Sequence, residues 1–310
     1  MTDDDRARMM VDLRDTVRQL GMAVDMADII ADGVHMVVHL RPADVVARVA
    51  TLYPQDTPSQ RRRALAHELD VANHLLANGV GAVRPADLAG PHPVQDTWFT
   101  LWRYYAARPG APAVTSERLW EAIRAFREAF DGPQGATVTQ RPVLAPLVPW
   151  RAAAEGARRL AGTPWFEDPK IAELLRIYNE LDAHLASMPL VPAHGDAHPG
   201  NLLVAGDGKP RWLDFEDVSL MPVHWDHACV VARARLLGLG VNHASWVERA
   251  VLAELPEPAL RDEWHILLLA RAVQITLVGR FFEAYGHEEA EVTAARIEGT
   301  QRLLASIKLP

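Results

Sequence analysis

The residue types able to do chemistry crowd into one stretch of this sequence, PAHGDAHPGNLLVAGDGKPRWLDFED, residues 192–217. It carries His194, Asp196, His198, Asn201, Asp214 and Glu216 around two short apolar runs. Pro199 and Gly200 break the chain inside HGDAHPG, and NLLVAGDGKPRWLDFE reads as a hairpin turning at GDGK, with Asp207 and Gly208 as plain turn residues. A loop followed by a hairpin brings Asp196, Asn201 and Asp214 back to one neighbourhood. Their donors are carboxylate and carboxamide oxygens with no thiolate, a set that suits Mg²⁺ bridging phosphate groups better than zinc.

The order His, small residue, Asp, four residues, Asn in HGDAHPGN resembles the catalytic loop of protein kinases, H-R-D-x-x-x-x-N, and DFE resembles the D-F-G that follows it. With WLDFED and then PVHWDHA downstream, the chain looks like the aminoglycoside phosphotransferase family, which includes choline and other small-molecule kinases of protein-kinase-like fold. Residues 192–228 carry the resemblance. It implies a phosphotransferase that uses ATP or GTP with Mg²⁺ and moves the γ-phosphate to a hydroxyl of a small-molecule acceptor. On that resemblance Asp196 is the base or orienting carboxylate, Asn201 and Asp214 hold the metal, and His194 fixes the loop backbone. His198 sits near the phosphates or supports the loop, Asp226 braces it, and Glu216 stands in place of the glycine of D-F-G.

The front part departs from the pattern. The chain's only lysines are Lys170, Lys209 and Lys308, so there is none in the first 169 residues to serve the phosphates. Arg48, in DVVARVAT, stands where the family puts its basic residue, and Glu68 in ALAHELDVANHLL is its helix partner. Arginine can grip phosphate bidentately, though with a wider fork than an ammonium. A purely structural Arg48–Glu68 salt bridge is the competing reading. Gly33 alone marks the loop that would cover the phosphates, so a degenerate nucleotide-binding protein is the second functional hypothesis. Leu101, Trp102 and Arg103 are expected at the hinge, their backbone reading the purine.

Elements to position these groups follow from periodicity. VDMADIIADG, VHMVVHLR, DVVARVAT, AVRPADLAG and DTWFTLWRYYA read as strands around one helix, capped by Thr57 or Ser59. Long amphipathic helices dominate beyond RPGAPA. The expected fold is α+β and bilobal: residues 1–103 a small antiparallel-sheet nucleotide-binding lobe, 104–112 a hinge or linker, and 113–310 a helical lobe with the catalytic loop and acceptor site.

Composition closes several doors. At 310 residues, 49% hydrophobic and 23% charged, the chain reads as an ordinary globular enzyme. Cys229 is its single cysteine, which excludes an internal disulfide and a thiolate metal cluster. A formal charge of −8 disfavours nucleic acid as a partner. No apolar run approaches a membrane span and the N-terminus is too polar for a secretory signal, so a cytoplasmic protein without a membrane partner is expected. Nothing specifies an oligomeric state.

Residues 1–108 carry 14 acids and 12 bases and the rest 26 and 20, so the acid excess lies in the helical part. A cationic, hydroxyl-bearing acceptor such as an aminoglycoside or another amine fits that balance, with Glu283 and Glu288, and on the metal side Glu216, as acceptor-site acids. The apolar helix EWHILLLARAVQITLVGRFF suits a larger macrolide equally. A different class, a metal-dependent phosphohydrolase, would use His194, Asp196, His198 and Asp214 as ligands. Antibiotic resistance, biosynthesis and metabolism are all open as the setting.

Overall fold

The computed structural model describes residues 3–33, 35–51, 57–106, 114–131 and 141–307. The chain forms two compact units. The first is built from Met1–Pro112, Pro133–Pro142 and Leu203–Glu216, the second from Ala113–Gly132, Val143–Leu202 and Asp217–Pro310.

In the first unit a helix, α1 (Asp3–Gln19), precedes an antiparallel sheet of β1 (Val24–Asp32), β2 (Met36–Pro42), β3 (Val45–Val49), β4 (His92–Val94) and β5 (Thr97–Arg103), in the order β1-β2-β3-β5-β4. The period-2 pattern of β2 and β3 seals Met36, Val38, Leu40, Val45, Ala47 and Val49 in a core with Met9, Leu13 and Val17 of α1. Arg48, one residue out of phase, points to the other face of the sheet. There α2 (Pro58–Ala77) supplies the buried Glu68. Thr57 caps α2: its hydroxyl accepts from the Gln60 N–H and the Gln60 side chain returns to the Thr57 N–H, with Pro58 in the first turn. Of the two cap candidates, Thr57 is the one used.

The hairpin β7 (Leu202–Val204) and β8 (Pro210–Trp212) turns at GDGK, where Gly208 has φ +74°. Its second strand is stitched to the segment after α2. The Trp212 N–H donates to the Gly81 carbonyl at 3.0 Å and the Val83 N–H to the Trp212 carbonyl at 3.0 Å. A Cβ on Gly81 would stand 2.2 Å from the Pro210 carbonyl oxygen, so this approach requires glycine. That stitching uses residues 82–85, which form single bridges and not the strand their pattern predicts.

The second unit is helical: α3 (Ser116–Asp131), α4 (Val148–Arg159), α5 (Pro169–Ser187), α6 (Trp225–Leu237), α7 (Val241–Glu254), α8 (Pro258–Ala284) and α9 (Ala290–Ser306), with a two-stranded antiparallel pair, β6 (Leu190–Ala193) and β9 (Ser219–Pro222). Helix α8 is the axis, against which α4, α5, α6 and α9 pack. It buries Trp264, Leu268, Leu269, Val273, Leu277 and Phe281, each a large side chain whose removal from water contributes about 1.5–3 kcal/mol. Contrary to the expectation that no segment approaches a span, α8 is long and apolar enough to cross a membrane by length and composition. However, 78% of its most apolar window is buried inside the protein, and it serves as a core helix.

Candidate functional site

In the second unit, the loop after β6 is pinned through its backbone. The buried Asp226, in the first turn of α6, accepts the His194 N–H at 2.8 Å on Oδ2 and the Gly195 N–H at 2.9 Å on Oδ1. Trp225 Nε1 donates to the Gly195 carbonyl at 3.0 Å, and Cys229 Sγ approaches the same oxygen. Gly195 has φ +87°, and a Cβ there would meet the Asp217 carbonyl oxygen at 2.2 Å. Only glycine turns the chain at this point.

Asp196 follows that turn. Its Oδ1 accepts from Nη2 of Arg271 on α8, and Arg271 Nη1 is held in turn by the Gln274 side chain. His198 Nδ1 accepts the Gly200 N–H at 2.9 Å, which leaves the ring proton on Nε2, 3.6 Å from Asp196 Oδ2. Burial works to raise the Asp196 pKa, but Arg271, His198 and His194 outweigh it and hold the carboxyl well below the usual carboxylate range. Asn201 Nδ2 donates to the Asp196 carbonyl at 3.0 Å, which commits its amide nitrogen to the loop and leaves Oδ1 as its remaining donor atom for a metal.

In the first unit, Arg48 is the hub. Its Nε lies 3.2 Å from Glu68 Oε2, and its Nη2 lies 2.7 Å from Asp214 Oδ1 and 3.4 Å from Glu216 Oε2. His35, just ahead of β2, adds a contact from Nε2 to Glu216 Oε2 at 2.7 Å. Burial opposes the charge on Arg48, yet the three carboxylates prevail and raise its pKa. Burial is the larger influence on Glu68 and pushes its carboxyl up to about 7 despite Arg48. Asp214 sits at φ +60°, a left-handed conformation uncommon outside glycine and a kind of strain found at functional sites. Phe215 beside it is buried and packs against Trp102, ring centroids 6.2 Å apart, which holds the turn. One guanidinium among three carboxylates leaves an excess of oxygen donors, so Asp214 and Glu216 fit a hard divalent cation.

Other expected residues fall elsewhere. The Leu101 and Arg103 N–H groups donate to the Ala89 and Arg84 carbonyls at 2.9 and 2.8 Å, and the Leu101 carbonyl accepts from Ala86. These are sheet groups: of the expected hinge residues Leu101, Trp102 and Arg103, the Leu101 N–H and carbonyl and the Arg103 N–H are engaged within the first unit. Residues 107–112 of the expected linker lie outside the described residues. Gly33 has open space where a Cβ would stand and no positive φ, so packing does not demand glycine there. Glu283 is paired with Arg280 at 2.9 Å and Glu288 with Arg296 at 2.6 Å, which removes them as a free acidic wall for a cationic acceptor. Of the ligands expected for a hydrolase, Asp196 is held by Arg271, and His198 accepts the Gly200 N–H on Nδ1 with its Nε2 3.6 Å from Asp196. Among the described residues, the His/acid group whose ligand atoms lie within 4.8 Å of one another is His35, Glu68 and Glu216.

Sequence reasoning missed Arg271 and His35. A lone arginine inside the apolar run ILLLARAVQITL was the available signal for the first, because a charge is buried only with a partner. His35 carried none.

A model of the phosphotransferase enzyme family matches residues 29–293. The chain belongs to that family. Its fold is protein-kinase-like, shared with solved kinases of low sequence identity. A choline/ethanolamine kinase family protein from Mesorhizobium loti is 19% identical, with 99% of this chain and 95% of that one covered at a TM-score of 0.59. Amicoumacin kinase hAmiN, solved with AMP-PNP, Ca²⁺ and Ami, is 12% identical, with 100% and 97% covered at 0.66. The phosphotransferase APH(2")-IIia, solved with GDP and kanamycin, is 14% identical, with 98% and 99% covered at 0.60. A curated relative, the uncharacterised protein sll0005 of Synechocystis sp. (strain ATCC 27184 / PCC 6803 / Kazusa), is 26% identical over 142 residues. That match spans 40% of this chain but only 20% of the relative's length.

Proposed function

We propose that this phosphotransferase moves the γ-phosphate of ATP or GTP to a hydroxyl of a small molecule, with Mg²⁺ present. The observation that carries the reading is Asp196, kept ionised by Arg271 and His198 on a loop whose backbone Asp226 holds. Such a carboxylate accepts a hydrogen bond from the acceptor hydroxyl and aims the oxygen at phosphorus. The new O–P bond forms as the bridge to the β-phosphate breaks, the nucleoside diphosphate departs, and the hydroxyl proton passes to Asp196 and on to solvent. With so acid a group the proton moves late, and orientation is the main contribution.

Arg48 is suited to exchange part of its carboxylate shell for phosphate oxygens, with Glu68 keeping its Nε in place. Asp214, supported by Glu216, and the Asn201 carboxamide are the groups proposed to hold Mg²⁺. When bound, the ion neutralises phosphate charge and polarises the transferred group. An intact Arg48–Glu68 pair favours this reading over a degenerate nucleotide binder, because the ion pair that a kinase front lobe requires is formed.

The test is Asp196→Asn. Turnover, read as nucleoside diphosphate released with a panel of hydroxylated acceptors, should fall at least about a hundredfold while nucleotide affinity is kept. Turnover at the wild-type rate would remove Asp196 from the mechanism.

A further inference from the structure

The acceptor side can be read from a cavity of about 280 Å³ in the second unit. Its walls are His198 and Gly200 of the catalytic loop, Val230 and Arg233 of α6, and Gly240 and His243 at the start of α7; no aspartate or glutamate lines it. Two of these residues follow Asp196 by two and four positions, so the cavity adjoins the loop that presents the proposed catalytic carboxylate.

Three observations give this cavity a sign. Arg233 is half-buried and lines the cavity, whose walls hold no carboxylate; Glu288, outside the lining, is the acid it attracts. The arginines around it are accounted for: Arg271 is paired with Asp196 and Arg296 with Glu288. Arg233 lies within Coulombic reach of both Arg296, which opposes its charge, and Glu288, which favours it. Second, α7 begins here. Gly240 is its N-cap, with φ +73° and no side chain to cap the first turn, so N–H groups at the positive end of a 14-residue helix lack side-chain acceptors. Third, His243 contributes an imidazole that Ser116 Oγ contacts through Nδ1 at 3.1 Å, while the two nitrogens of His198 are spent on Gly200 and Asp196 and its ring serves as wall. Arginine, a helix N-terminus and imidazole, with no carboxylate, is the donor set of an anion site.

We propose that this cavity receives the anionic group, carboxylate or phosphate, of the hydroxyl-bearing acceptor, so that the substrate is a hydroxy acid or a phosphorylated alcohol and not an amine. The assignment rests on the phosphotransferase reading for the word acceptor, while the anion site stands on its own geometry.

The test uses the full chain and calorimetric titration at fixed ionic strength with inorganic phosphate and, separately, acetate, on wild type, Arg233→Ala and Arg233→Lys. Mg·ATP and Mg·GTP are titrated onto the same samples. At least one anion should bind wild type with an affinity tenfold or more above that of Arg233→Ala, Arg233→Lys should recover part of the loss, and nucleotide affinity should be the same in all three. The choice between the two anions tells phosphate from carboxylate. No anion binding to wild type, or equal binding to Arg233→Ala, overturns the site. Loss of nucleotide binding in wild type strikes the phosphotransferase reading instead. In turnover assays, nucleotide consumption driven by hydroxy acids or phosphorylated alcohols should collapse in Arg233→Ala. Consumption driven by an aminocyclitol without any anionic group, at a rate unchanged in that variant, overturns the acceptor assignment.

Discussion

Arg271 of α8 donates to Asp196 Oδ1 across 75 residues of sequence, and it places a permanent cation beside the carboxylate proposed to orient the hydroxyl. The guanidinium is itself locked by Gln274, whose Nε2 donates to the Pro149 carbonyl at 3.3 Å, so the axis helix, the start of α4 and the loop that carries Asp196 form one connected support.

Arg271→Gln should therefore change the pH dependence of catalysis as well as its rate. With wild type, Asp196 remains ionised throughout the mildly acidic range and contributes no acid limb. Without the guanidinium, burial raises its pKa, and activity should fall as pH drops from neutral. We expect kcat to drop roughly ten- to a hundredfold. A pH–rate profile checks this; a variant with the wild-type profile would reduce Arg271 to a packing role.

Asp226→Asn should loosen the loop. Both oxygens accept backbone N–H groups, and the asparagine amide would set a donor against one of them, a cost of about 1–3 kcal/mol. The denaturation midpoint should fall, and the His194 and Gly195 amides should exchange faster with solvent. Gly195→Ala should be at least as damaging, since its Cβ has no room beside Asp217.

Much of this site is legible in the sequence, and the boundary has a physical cause. The spacing within HGDAHPGN and the Asp of DFE are local, so their chemistry can be read residue by residue. The Arg48 and Glu68 positions follow from one strand and one helix. Arg271 reaches Asp196 through helix packing, which periodicity reports only as buried. A strand pattern at residues 97–103 does not reveal that the Ala86, Ala89 and Arg84 backbone will pair with Leu101 and Arg103. Glu283 and Glu288 misled because charge counts are blind to pairing.

Arg48→Met should remove the single cation of the first cluster and leave Glu68, Asp214 and Glu216 facing one another. Stability should fall by about 3–5 kcal/mol at alkaline pH, where Glu68 must carry an uncompensated buried charge, and by less at acid pH. Nucleotide affinity should weaken as well. Arg48→Lys should recover charge but not every contact, which separates the two effects.

Two buried groups impose opposite pH slopes on stability. Glu68 is raised from 4.5 to about 7 in the folded state, which therefore binds its proton more tightly. Its contribution is full below about pH 4.5 and is lost as pH rises through about 7. His227, stacked on Trp120, is lowered from 6.5 to about 3 by burial. Its contribution is full above about pH 6.5 and is lost as pH falls toward 3. Urea midpoints against pH should lose the first slope in Glu68→Gln and the second in His227→Phe; unchanged curves would contradict the assignment.

The most direct test of the central claim is nucleotide binding with and without Mg²⁺. Titration of ATP and of GTP onto wild type and Asp214→Asn, read by thermal stability, should give a saturable, Mg²⁺-dependent rise with at least one nucleotide, and Asp214→Asn should lose the Mg²⁺ dependence. No rise with either nucleotide at millimolar concentration, or a rise indifferent to both the metal and Asp214, would contradict the account.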